Sequence, residues 1–221
     1  SPRGQSAFSS LAFAADVTPP SAKRYFTWTG TQLVAGSSAT VTVDSKPTYK
    51  MIVDLVAQAK TKNIRPIKKG GKEYYMLAMQ PGTLAALKMD PLFNKGIIDG
   101  SVRGDENEWA TGAIAMVDGA MLFESNKVFT TTGAPDGQKW GAGGHVEGTR
   151  TLLLGSQALG FADIEGGGTG WVEKLFNYDA QMGVSLDRMF GFIKPKFQSA
   201  REKSVEDFGV IAVDHYYGLG A

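Results

Sequence analysis

Arg150–Asp163 reads RTLLLGSQALGFAD. Three leucines run into Gly155-Ser156, and both the fold and the function class turn on that junction. A short apolar run bounded by turn residues has the pattern of a buried strand. A nucleophile elbow at Ser156 would instead make the chain a hydrolase. That elbow needs G-x-S-x-G, so that both neighbours of the serine tolerate a sharp strand-to-helix turn. Only Gly155 is present, directly before Ser156, and Ala158 supplies no second glycine. The sole bases for a Ser156 pair would be His145 and His215. The junction reads as scaffold: Leu152–Leu154 a core strand, Gly155 its break, and Ser156 a turn residue capping a short helical turn.

Upstream, residues 1–44 are rich in Ser, Thr, Ala and Gly, and form an extended arm or strand-rich segment. Short strands are expected around Tyr25–Trp28 and at Ala39–Val43. The body, 45–221, begins with a helix expected over 45–62, capped by Asp44 or Ser45 with Pro47 in its first turn. Ile52, Leu55, Val56 and Ala59 give it one apolar stripe. Tyr74–Met79 reads as a buried strand and Pro81 opens a short helix. Residues 91–110 read as a polar stretch. Asp118-Gly119 between two apolar runs predicts a hairpin pairing 114–117 with 120–123. A Gly-rich loop fills 133–148, and the tail ending in DFGVIAVDHYY is strand-rich. Helices combined with antiparallel hairpins define an α+β fold rather than a regularly alternating α/β one.

The totals exclude several classes. The 221 residues, 43% apolar and 20% charged, suit a globular chain. Such a chain buries roughly 70% of its unfolded surface. A net charge of +1 asks for no polyanionic partner. The absence of cysteine removes disulfides, thiolate metal sites and Cys nucleophiles. The opening SPRGQSAFSS lacks the basic-then-apolar pattern of a signal peptide, and a start without Met reads as mid-chain.

Other chemical constellations fare no better than Ser156. Gly143–Arg150, GGHVEGTR, has the glycine spacing of a phosphate loop, but Thr149 stands where the lysine belongs. His145-x-Glu147 opens like a zinc deaminase motif, without the thiolates that chemistry needs. Asp105, Glu106 and Glu108 form an acidic run, and Lys68, Lys69 and Lys72 flank Gly70-Gly71 as a wet turn. No catalytic, metal or cofactor site is expected.

The order of the segments is more informative than any one of them. Arg65-Pro66-Ile67 ahead of Gly71-Lys72-Glu73-Tyr74-Tyr75, the Pro81 turn, the Leu152–Ala158 run and the Asp207–Ile211 ending follow one another in sequence. Over about residues 20–217 the chain resembles tailed-bacteriophage major capsid proteins, in particular the N4-like phage coat proteins with the Hong Kong 97-type fold. That resemblance implies an α+β subunit with axial and peripheral domains. The spine helix and extended loop of the family have no counterpart here, nor does the 133–148 insert match it. The resemblance further implies self-assembly into hexamers and pentamers of an icosahedral head, in the virion and built in the host cytoplasm. Portal, scaffold and decoration proteins are the further partners it allows, and double-stranded DNA is enclosed without sequence-specific binding. Encapsulin-like cargo shells share the fold and stand as the alternative; an enzyme using Ser156 or the 143–150 loop is the remaining one. Between the Pro81 helix and the Asp118-Gly119 hairpin, Arg103, Asp105, Glu106, Glu108 and Trp109 are the expected inter-subunit contacts. Charges repeated around a rotation axis repel unless each meets an opposite charge on the next copy.

Overall fold

The computed structural model describes residues 20–100, 116–163, 170–178, 180–187, 190–201 and 203–217. Its centre is a mixed sheet. β1 (Tyr25–Trp28) pairs antiparallel with β2 (Leu33–Ala35) and parallel with β14 (Val210–Tyr216). β14 runs antiparallel to β7 (Gly148–Leu154), which pairs with β4 (Lys72–Met79). β4 then pairs parallel with β6 (Ala120–Glu124), and β5 (Met116–Val117) closes the far edge. β3 (Ile67–Lys69) forms a short hairpin with the start of β4. The sheet order is β2-β1-β14-β7-β4-β6-β5. Part of the 1–44 segment is therefore sheet, with β1 inside it.

One face of this sheet carries the core. α1 (Tyr49–Thr61) buries Met51, Ile52, Leu55, Val56 and Ala59, which repeat every three or four residues along one stripe. They form a single cluster with Leu77, Leu122, Leu153, Ile211 and Val213 from four strands. Side chains alternate along a strand, so Ile211 and Val213 face α1 while Ala212 and Asp214 face away. α2 (Pro81–Lys88) and α3 (Pro91–Gly100) add Leu87 and Phe93 to the same cluster.

Local hydrogen bonding explains where the sequence reading of these elements fails. α1 starts at Tyr49, not at 45. The Ser45 carbonyl accepts from Tyr216 N, and Ser45 Oγ accepts from Thr42 N, so Ser45 closes a separate turn. The cap comes from elsewhere in the chain: Tyr49 N donates to Asp90 Oδ2 at 2.6 Å. Asp90 Oδ1 also accepts from Leu92 N at 3.1 Å. Asp90-Pro91 is thus a start signal, a capping side chain before a proline at the first helical position, and α3 occupies what read as polar loop. Ala39–Val43 forms no strand; Ser38–Thr40 is a 3₁₀ turn, and the strand lies earlier, at β2. The Asp118-Gly119 turn forms, with φ of 49° and 76° at the two central residues, and pairs 116–117 with 120–121; residues 114 and 115 of the expected strand lie outside the described residues.

Between β7 and β14 the chain leaves the sheet and returns to the same point. Leu154 is opposite Val210, and Gly155 N donates to Gly209 O at 2.8 Å. The excursion is built of nested antiparallel pairs. β8 (Gly160–Asp163) pairs with β11 (Phe190–Ile193), and within that pair β9 (Gly170–Phe176) pairs with β10 (Gln181–Asp187). β12 (Lys196–Gln198) and β13 (Val205–Asp207) lead back to β14.

Candidate assembly surface and the latch behind it

The RTLLL strand carries two polar devices, one on each face. Away from α1, Arg150 meets Asp214 in a two-pronged pair: Nε donates to Oδ1 at 2.6 Å and Nη2 to Oδ2 at 2.9 Å. Asp214 is fully buried. The Tyr25 hydroxyl donates to the same carboxylate. The guanidinium carbon lies 5.0 Å from the centre of the Tyr25 ring and 5.8 Å from those of Phe129 and Trp140. Burial, followed by the charge of Asp214 beside it, pushes the Tyr25 hydroxyl pKa up, so it stays a donor at any ordinary pH.

On the α1 side, His215 is fully buried. Its Nδ1 lies 2.8 Å from the Tyr216 carbonyl, which can only accept, so Nδ1 carries the proton. Nε2 then accepts from the Thr151 hydroxyl at 2.8 Å. Desolvation pushes the His215 pKa down to about 4, and the ring is neutral at pH 7. Both of its nitrogens are committed to structural bonds, and neither bond goes to Ser156.

The Gly-rich loop serves this latch. Trp140 and Val146 exchange backbone bonds of 2.9 Å, and Gly137 N donates to Gly144 O, which folds the loop back on itself. Trp140 stacks on Phe129 at 5.7 Å with the rings 21° apart. A β-carbon on Gly148 would sit 1.9 Å from the Trp140 ring. Gly148 is glycine because an indole lies against its backbone. Thr149 Oγ1 donates to Phe129 O, and β7 rather than a helix follows. A phosphate loop requires a helix N-terminus at that point. Gly155 is likewise crowded, with an added β-carbon 2.5 Å from Ile64 Cγ2. Ser156 N donates to Arg65 O at 2.8 Å, in a turn with no helix after it. His145 is exposed on the loop. Among the described residues no group of three or more Asp, Glu and His is placed to hold a metal ion, and no helix is long and apolar enough to cross a membrane. Arg103, Asp105, Glu106, Glu108 and Trp109 lie outside the described residues.

The surface of the β8–β11 excursion is unusually apolar. Register places Phe161, Phe190 and Phe192 on one face, 55%, 55% and 62% exposed. Their ring centres lie 5.2–6.2 Å apart. Leu175, Met182 and Val184 are exposed together on one face of β9–β10. A two-stranded ribbon is marginal in water by itself, and a contiguous exposed aromatic patch marks a protein-contact surface. Sequence reading passed over this patch because its aromatics are separated in the chain and become neighbours only through the β8–β11 register.

The fold is a mixed sheet covered on one face by helices, with a β-ribbon that exposes apolar side chains. The fold is that of phage capsids: it superposes on the capsid of Ralstonia phage GP4 with a TM-score of 0.68 at 22% identity, covering 92% of this chain and 55% of that one. It also superposes on the capsid asymmetric unit of cyanophage Pam1 with a TM-score of 0.69 at 17% identity, covering 96% and 60%. The family model described as phage capsid protein matches residues 3–219, and the chain belongs to that family. The major capsid protein of Pseudomonas phage KPP25 is 45% identical over 216 residues, 96% of this chain. The chain spans 57% of that relative's length.

Proposed function

We propose that this chain is the body of a major capsid protein that assembles with copies of itself into hexamers and pentamers of an icosahedral phage head enclosing double-stranded DNA. The observation that carries this reading is the exposed aromatic face of β8–β11, joined to a fold that superposes on phage capsids. Its setting is the virion, with assembly in the host cytoplasm. The near-neutral charge suits a container that closes around DNA rather than one that grips phosphates. Portal, scaffold and decoration proteins are its further partners in this reading, and no enzymatic step is assigned to it.

The test is electron microscopy of particles formed by the full-length protein, with their contents analysed. Closed shells from phage-infected cells that hold double-stranded DNA support the reading; shells filled with an enzyme cargo would replace it with a cargo compartment. Arg103 is assigned an ion pair with a neighbouring copy's carboxylate, supported by its place in an acidic, Gly-rich segment. Arg103→Glu should abolish capsomers in sedimentation while circular dichroism stays unchanged, and wild-type shells from that variant would remove the assignment.

A further inference from the structure

The turn that joins β9 to β10 is strained where it carries its largest side chain. Ala180 N donates to Asn177 O at 3.1 Å, which closes the turn, and Asn177 and Tyr178 both have φ of 51°. Asparagine tolerates that left-handed backbone, whereas for a bulky residue it is an outlier that glycine would relieve. Tyr178 is also fully exposed, next to the exposed Leu175, Phe176 and Met182 of the flanking strands. Strain of this kind persists at functional positions. Tyrosine is among the side chains that most often anchor a protein contact, by filling a pocket on the partner.

A pocket of matching chemistry lies on the body. About 630 Å3 opens between the end of α1, the start of β4 and the Asp118-Gly119 turn. Ile64, Pro66 and Tyr75 give it apolar surface, and Lys60 and Asn63 give it polar groups. Ile64 and Tyr75 are buried, and the Tyr75 hydroxyl donates to Ile64 O at 2.8 Å, so that wall is fixed. Lys60 and Asn63 are exposed. Among the described residues nothing beyond its chain neighbours comes within 4 Å of where a β-carbon on Gly119 would stand, which leaves that side open. A buried tyrosine needs this combination, apolar contact for its ring and a polar partner for its hydroxyl.

We propose that Tyr178 is an anchor that seats in this pocket on a second copy of the chain, an inference that rests on the assembly of copies proposed above. Anchor and pocket are different surfaces of one chain, so each copy gives one contact and accepts another. Head-to-tail contacts of this kind close into rings when the rotation closes. A cyclic capsomer has that arrangement. Nucleic acid is the less suitable partner for the tyrosine. Single-strand binders set their stacking aromatics beside a positively charged groove, whereas the strand leading to Tyr178 carries Glu173 beside Lys174, one charge of each sign.

Tyr178→Gly in the full-length protein removes the anchor and relieves the backbone in one step. Shell yield in sedimentation should fall on the order of tenfold, because the lost anchor recurs at every subunit of a closed assembly. Urea unfolding of the subunit should be unchanged. A residue that serves only the turn would show the reverse, altered unfolding at wild-type yield, and that result overturns the proposal. Lys60→Trp, at an exposed position, fills the pocket from its rim and should lower yield in the same direction. The sequence contains no cysteine, so an introduced pair reports the contact directly. Copies carrying both Tyr178→Cys and Lys60→Cys, assembled with an excess of unaltered copies and then oxidised, should give disulfide-linked dimers on denaturing electrophoresis; copies with either substitution alone should give none. Closed shells that contain the double variant and yield no such dimers overturn the proposal. Normal numbers of shells with reduced DNA content from Tyr178→Gly would assign the tyrosine to nucleic acid and overturn it as well. Absence of shells from the unaltered protein would refute the assembly reading itself, which keeps the two failures apart.

Discussion

Arg150 ties three strands and a loop to one carboxylate. It sits on β7, its partner Asp214 on β14, the Tyr25 hydroxyl on β1, and Trp140 reaches it from the Gly-rich loop. Removing one member of a buried pair leaves the other charge uncompensated, at a cost of about 3–5 kcal/mol. Arg150→Ala should therefore lower the urea unfolding free energy by that amount, with the midpoint shifting and the slope unchanged. Arg150→Lys should recover only part of it, because an ammonium offers neither a planar two-pronged pair nor the same stacking on rings. Wild-type stability of Arg150→Ala would mean that the latch contributes nothing. His215 makes a second residue-scale prediction. Its pKa lies near 4 when folded and near 6.5 when unfolded, so between those values the unfolded chain binds the extra proton. Stability is then fully present above pH 6.5 and is lost as pH falls towards 4. The full effect is about 3 kcal/mol, because each tenfold weakening of proton binding corresponds to roughly 1.4 kcal/mol. Urea titrations at pH 7 and pH 4.5 should show the loss, and His215→Gln should reduce the difference; an identical pH profile in that variant would remove His215 as its source.

At the scale of elements, Asp90 joins two helices. Its carboxylate accepts from Tyr49 N at the start of α1 and from Leu92 N at the start of α3. A single cap contributes about 1 kcal/mol, so Asp90→Ala should cost about 2 kcal/mol in thermal unfolding, whereas Asp90→Asn should retain most of it. A loss no larger than that of one ordinary cap would break the link between the helices. This arrangement also explains how far the sequence could be read. α1, β4, the Pro81 helix, the Asp118-Gly119 hairpin and the Leu152–Leu154 strand declare themselves through local periodicity or turn chemistry. The start of α1 does not, because its cap lies 41 residues away in sequence. α3 was hidden for a related reason: Asp90-Pro91 fits both the end of one helix and the start of the next. The stripe on α1 marked the core, but the Arg150–Asp214 latch depends on a β7–β14 register that joins residues 64 apart. Glycine spacing misled in one place only, since Gly148 records an indole packed on the backbone rather than a phosphate held by it.

At the scale of the molecule, the sheet and α1 carry the buried core, and the 155–209 excursion carries exposed apolar surface. The two parts differ in what they bury. α1 and the central strands bury the core cluster, while the β8–β11 ribbon leaves three phenylalanines in water. Burying an exposed aromatic at a subunit contact contributes about 25 cal/mol per Å2 of apolar area. A double substitution, Phe161→Ser with Phe192→Ser, should therefore leave the body folded and weaken contacts between copies. The most direct measurement is to count closed particles by electron microscopy for the full-length protein and for this double variant, expressed side by side. The account predicts abundant closed shells from the unaltered protein and soluble, folded subunits or capsomers from the variant. Equal numbers of intact shells from both, or none from the unaltered protein, would contradict it.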